Sequence, residues 1–214
     1  MLVEKWMTRN VITIDDGASL SQAIHQLKLH NIRRLPVLRK ERLVGIVSDR
    51  DLKEASPSKA TSLDIWELHY LLEKVKVKDV MTSKPITIRP KDTIEYAALV
   101  MMKNKIGALP VIDEKGGLVG ILAENDVFNA LVNITGVGLK KTRVSLFIPD
   151  KPGTIKEVAD ICREHGGKIF SILTTYVKVP AGMRELIMRV ECADTKRLKA
   201  DLVKLFGEVN VTQD

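Results

Sequence analysis

Leu43-Val44-Gly45-Ile46-Val47-Ser48-Asp49-Arg50-Asp51 returns, order kept, as Leu118-Val119-Gly120-Ile121-Leu122-Ala123-Glu124-Asn125-Asp126. A short β-branched apolar run that gives way to acidic and amide residues reads as a buried strand leading into a helix start. Its recurrence decides the fold. Towards the N-terminus, Val3, Met7-Thr8, Ile12-Thr13-Ile14, Ala23, Ile32 and Leu35-Pro36-Val37 have identical counterparts 74 residues on, and one extra residue near Gly116 makes the later offset 75. Seventeen identities fall between positions 3 and 55, in one order, which is too many for chance. The repeat is longer than a solenoid unit and occurs twice, so it predicts a small domain duplicated and packed on its twin.

Each copy carries the same element signals. The Ile-Thr-Ile triplet begins a short strand. Ser19 or Thr93 then caps a helix whose apolar positions, Leu20, Ala23, Ile24, Leu27 and Ile94, Ala97, Ala98, Met101, recur at helical spacing. RLPVL or ALPVI, followed by LVGIV or LVGIL, forms a strand pair, and a closing helix follows from Asp51 or Asp126. Each copy is thus β-α-β-β-α.

The expected organisation is a first copy over 1–61, a connecting helix over 62–76 capped by Thr61 or Ser62, a second copy over 77–135, a linker over 136–141 and a last domain over 142–214. In the last domain the pattern changes to RVSLFI, TIKEVADICREHG, KIFSILTTYVKV, MRELIMRVEC, DTKRLKADLVKLFG and EVNVTQ, which reads β-α-β-β-α-β. That order fits a ferredoxin-like sheet of four antiparallel strands under two helices. A core of this size favours pairing with another copy, so a homodimer is expected. The fold class is α/β in the broad sense (α+β).

Composition narrows the function classes. The 214 residues hold 34 Lys+Arg against 27 Asp+Glu, a net charge of +7. The excess is split: +4 over 1–61, zero over 62–140 and +3 over 141–214. Aromatic residues at 4% give few stacking platforms, and there is no helix-turn-helix pattern, so a nucleic-acid-binding regulator is the lesser alternative. No apolar run approaches the ~20 residues of a membrane span, and a charged N-terminus leaves no signal-peptide core, which points to a cytoplasmic chain without membrane contact. Cys162 and Cys192 make neither a disulfide framework nor a metal site. His25, His30, His69 and His165 are scattered, with no HExxH, GxSxG or phosphate-loop spacing, so the chain is expected to be no enzyme and to hold no metal or catalytic cofactor.

Two features remain that suggest a ligand. Arg33, Arg34, Arg39, Lys40, Arg42 and Arg50 fall within eighteen positions, enough to attract a small phosphorylated compound. Ser48 and Asp51 stand three apart at a helix start, where they could hold the vicinal hydroxyls of a ribose. The same spacing is a variant of a helix capping box, and both readings stand. In the second copy Asp126 is kept while Ala123 replaces the serine.

The duplicated unit resembles a pair of cystathionine-β-synthase (CBS) domains, through Met-Thr near each start, Leu-Pro-Val in the middle and Gly-Ile-x-Ser-x-x-Asp near the end. The resemblance covers residues 1 to about 135. It implies adenosine-ligand pockets in a cleft that borrows from both copies. One pocket would combine Ile46, Ser48 and Asp51 with Thr82, Ile86, Ile106, Gly107 and Ala108, the adenine lying against the second group, while the residues beside Ser48 and Asp51 that could meet phosphate are Arg33, Arg34 and Arg50. The mirror pocket would use Asp126 with Thr8, Ile12, Ile32, Arg33 and Arg34, these arginines standing where the family often binds phosphate. Ligands implied are AMP, ADP, ATP or S-adenosylmethionine, and the first pocket is favoured.

The last domain resembles an ACT domain through Asp150-x-x-Gly153, which implies dimerisation or amino-acid binding at that turn. The order CBS, CBS, ACT is similar to that of bacterial acetoin-utilisation proteins. It implies a regulatory role in acetoin or related carbon metabolism, acting on a metabolic enzyme, with a plain interaction scaffold as the remaining alternative.

Overall fold

The computed structural model describes residues 1–56 and 65–213, so the expected cap at Thr61 or Ser62 lies outside the described residues. The chain divides into two compact units, Met1–Phe128 and Asn129–Asp214, the division falling inside a helix rather than after it.

In the first unit, copy one contains β1 (Ile14–Asp15), α1 (Leu20–Leu29), β2 (Arg34–Arg39), β3 (Arg42–Ser48) and α2 (Asp49–Ala55). After α3 (Ile65–Lys74) and the single turn α4 (Val77–Val80), copy two contains β4 (Thr82–Ser83), α5 (Ile94–Asn104), β5 (Ala108–Ile112), β6 (Leu118–Ala123) and α6 (Glu124–Thr135), the last reaching into the second unit. The local signals act as expected at the helix starts. The Ser19 hydroxyl accepts the Gln22 amide at 3.2 Å while the Gln22 side chain accepts the Ser19 amide at 2.9 Å, a complete capping box. Thr93 accepts the Tyr96 amide at 3.1 Å. The closing helices begin at Asp49 and Glu124, two residues earlier than the expected Asp51 and Asp126.

The strands exchange between the copies. The expected strand at the first Ile-Thr-Ile is confined to Ile14–Asp15, parallel to β2, and in copy two only Ile88 bridges to Val111. β4 leaves its own copy to pair antiparallel with β3, Gly45 opposite Ser83 and Ile46 opposite Thr82. Thr8 reciprocates by bridging Ile121 of the other copy. At the crossing a Cβ on Gly45 would overlap the Met81 side chain and stand 3.1 Å from the Thr82 carbonyl; a Cβ on Gly120 would overlap Met7 and stand 3.2 Å from the Thr8 carbonyl. The two glycines are therefore required by close approach. The exchange extends into the core, where Val77 of copy two is buried with Ile14, Leu20, Ala23, Leu35 and Val47 of copy one.

In the second unit, β7 (Thr142–Pro149), α7 (Thr154–Glu164), β8 (Lys168–Thr175), β9 (Met183–Glu191), α8 (Thr195–Phe206) and β10 (Val209–Thr212) follow in the expected order. The sheet runs β10-β7-β9-β8, all pairs antiparallel, which is the ferredoxin-like arrangement. Val144, Leu146 and Ile148 alternate into a core with Leu186, Met188, Val158 and Leu198. On the opposite face Arg189 is buried, its Nε donating to the Thr135 carbonyl at 2.9 Å and Nη1 to the Lys141 carbonyl at 3.3 Å. The end of α6 and the turn after it are thus fastened to the sheet.

Candidate functional site

Strand exchange creates the site. Because β4 lies beside β3, the start of copy two faces the end of copy one, and a cleft of about 480 Å³ opens between them. Its walls bring together Ile46, Ser48, Arg50 and Asp51 with Thr82, Ile86, Ile106, Gly107 and Ala108, and with Arg33 and Arg34. Ile86 is 42% exposed and Ala108 is buried, so the apolar wall grades from open to closed. A second cleft of about 480 Å³ gathers Thr8, Ile12, Ile32, Arg33, Arg34 and Asp126. Arg33 and Arg34 line both clefts.

At the base of the first cleft the capping reading of Ser48 and Asp51 is realised. Oδ2 of Asp51 accepts both the Ser48 amide and the Ser48 hydroxyl at 2.7 Å, and the Asp51 amide donates to Ser48 Oγ at 3.3 Å. The box holds the carboxylate at a fixed angle and leaves Oδ1 free among the described residues for two hydroxyl donors. In the second cleft, Asp126 Oδ2 accepts the Ala123 amide at 2.8 Å. The retained acid is half a capping box, which accounts for Asp126 surviving the loss of the serine. The two helix starts are matched from outside as well: the Asp49 amide donates to the Arg33 carbonyl at 3.0 Å and the Glu124 amide to the Gly107 carbonyl at 3.1 Å.

The cations differ in their engagement. Arg50 Nε donates to Glu54 at 2.8 Å on the exposed helix face, and this pairing holds the guanidinium more firmly protonated than usual. The tip of Arg34 sits over Gly107, where a Cβ would overlap it. Sequence reasoning missed Lys84, Lys105 and Asp49 in the first cleft, and Asn10, Asn31, Glu124 and Asn125 in the second. Laying the copies on each other through the 74 and 75 offsets would have found them, since Lys84, Lys105, Asp49 and Arg50 correspond to Asn10, Asn31, Glu124 and Asn125.

Asp150 and Gly153 stand at the β7–α7 turn. Gly153 adopts a left-handed φ of 93°, and Asp150 Oδ1 accepts Tyr176 Oη at 3.3 Å with Arg184 Nη1 at 3.7 Å. Among the described residues, no three His, Cys, Asp or Glu side chains are grouped as metal ligands, and no helix is long and apolar enough to cross a membrane. Burial pushes the Cys162 thiol up to about 11, the neighbouring Cys192 adding to the effect, so it is no nucleophile at neutral pH.

A profile of the CBS domain matches residues 3–58 and 77–133. The structure of CBSX2 in complex with AMP is 31% identical, superposes with a TM-score of 0.54, and covers 62% of this chain and 97% of its own. A CBS domain pair from the protein MJ0100, in complex with 5′-methylthioadenosine and S-adenosyl-L-methionine, is 26% identical with a TM-score of 0.51, over 61% and 95% of the two chains. A Vibrio cholerae protein assigned to acetoin utilization (AcuB) is 29% identical with a TM-score of 0.53, over 65% of this chain and 96% of its own.

Proposed function

This chain belongs to the CBS-domain family, and on that premise we propose that it is a non-catalytic regulatory protein that senses an adenosine nucleotide in the first cleft of its tandem pair. One observation carries the reading: a carboxylate held by its own capping box lines the same cleft as Ile106, Gly107 and Ala108, and that cleft is of nucleotide size. Asp51 would accept the ribose hydroxyls, the apolar wall would stack on adenine, and Arg33 and Arg34 would meet phosphate. The relatives bound to AMP, to S-adenosylmethionine and to 5′-methylthioadenosine support that ligand class.

The nucleotide favours one arrangement of the two copies by binding it more tightly, which is all a ligand can do to such an equilibrium. The exchanged strands make the copies answer together, since β4 belongs to one and is paired in the other. The ferredoxin-like unit is read as an ACT domain that dimerises, with Asp150 and Gly153 at the turn where an amino acid would bind. The role is read as cytoplasmic, in acetoin or related carbon metabolism and exerted on a partner enzyme; the likeness to the Vibrio cholerae protein supports the acetoin part of that reading. Calorimetric titration with AMP, ADP, ATP and S-adenosylmethionine tests the reading. Saturable binding of at least one supports it; heparin retention with no response to any of the four would favour a nucleic-acid binder instead.

A further inference from the structure

The two clefts correspond residue by residue across the repeat, so each serves as a control for the other. Where the first cleft has Lys84, Lys105 and Arg50, the second has Asn10, Asn31 and Asn125. Three cations have become three carboxamides at equivalent places. The acids are kept: Asp49 and Asp51 match Glu124 and Asp126. With Arg33 and Arg34 common to both, the first cleft has five cations against two acids, and the second has two shared cations against two acids.

Sharing matters because a guanidinium forked onto one phosphate keeps fewer N–H donors for a second anion. Arg34 already lies over Gly107, at the edge of the first cleft. Once phosphates in that cleft engage Arg33 and Arg34, the second is left with Glu124 and Asp126 uncompensated and with amides in place of cations. A second polyphosphate would then meet like charge at short range, which is strongly unfavourable where water is partly excluded. A neutral or cationic adenosine compound would not, and the amides of Asn10, Asn31 and Asn125 can donate to or accept from its polar atoms.

Resting on the adenosine reading above, we propose that the clefts divide their ligands by charge: the first takes a nucleoside polyphosphate, the second an adenosine compound without phosphate, and both are held at once. ATP and 5′-methylthioadenosine are the probes, and calorimetry on the full chain is the measurement. The expected result is one ATP per chain, then one 5′-methylthioadenosine per chain on the ATP-saturated protein without release of ATP. Lys84→Asn with Lys105→Asn should weaken ATP by about tenfold and leave 5′-methylthioadenosine unchanged. The converse triple change, Asn10→Lys, Asn31→Lys and Asn125→Arg, should raise ATP stoichiometry from one to two. Two ATP per wild-type chain with affinities within about threefold, or displacement of ATP by 5′-methylthioadenosine one for one, overturns the division while leaving the adenosine reading intact. Binding of neither probe removes both.

Discussion

Asp51 holds the amide and the hydroxyl of Ser48 on one carboxylate oxygen, both at 2.7 Å, at the point where β3 becomes α2. The same side chain is therefore a helix cap, and in the proposed function its other oxygen would accept the ribose hydroxyls. Asp126 makes the cap alone, to the Ala123 amide, and so separates the two roles. Asp51→Ala and Asp126→Ala should each lower stability by about 1 kcal/mol in thermal or denaturant unfolding. Only Asp51→Ala should also weaken a nucleotide in the first cleft, by about 2 kcal/mol. Equal loss of nucleotide affinity in both variants would reject the ribose assignment.

Gly45 and Met81 hold the exchanged strands together by close packing. A methyl at Gly45 overlaps Met81 and crowds the Thr82 carbonyl at 3.1 Å, so Gly45→Ala should destabilise the first unit by about 1–3 kcal/mol. Shortening the opposing side chain relieves part of the overlap. The double variant Gly45→Ala/Met81→Ala should therefore be more stable than the sum of the single changes predicts, and simple additivity would contradict the contact.

Gly107 leaves the space that Arg34 occupies. Gly107→Ala should push the guanidinium and Glu124 aside, which weakens ATP more than adenosine in a titration of the two. A uniform loss for both ligands would mean that the substitution disturbs the adenine wall and not the phosphate contacts.

The second unit carries its own acid sensitivity. Hydrogen bonds from Lys156, Lys141 and Lys204 hold the carboxyls of Asp160, Glu191 and Asp201 below their ordinary values. Carboxyls lowered in the folded state contribute stability above the ordinary values of 3.8 for Asp and 4.5 for Glu, and lose it as pH falls through the lower folded values. The Tm should accordingly drop between pH 5 and pH 3. Lys141→Ala should shrink that drop by freeing Glu191. An unchanged acid slope in the variant would show that the pair contributes nothing to it.

Much of this architecture can be read from the residues, and the exceptions have physical causes. Helix starts at Ser19 and Thr93 follow from local hydrogen bonding, which the sequence carries within four positions. The α-β-β-α part of each copy follows from periodicity that both repeat, whereas the opening Ile-Thr-Ile strand is reduced to Ile14–Asp15 in copy one and to a bridge at Ile88 in copy two. The strand exchange does not follow from it, because β4 is two residues long and its partner β3 belongs to the other copy; neither propensity nor alternation distinguishes the two pairings. The starts of α2 and α6 are local as well, set by the Ser48–Asp51 box and by Asp126 on the Ala123 amide, while the added bonds of the Asp49 and Glu124 amides to the Arg33 and Gly107 carbonyls come from other elements. Arg189 sits in strand alternation like any outward polar residue, and the return of Thr135 and Lys141 over that face contributes to its burial. Of the cleft residues, Asp49, Glu124 and Asn125 stand inside the repeated motifs and Lys84, Lys105, Asn10 and Asn31 stand beside them, and all of these emerge only when the copies are superposed.

The most direct measurement is a crystal structure of the protein soaked with AMP. Adenine density is expected against Ile106, Gly107 and Ala108, with a ribose hydroxyl within hydrogen-bond distance of Asp51 Oδ1. A nucleotide seated away from these residues, or a first cleft that stays closed and empty at saturating AMP, would contradict the adenosine reading.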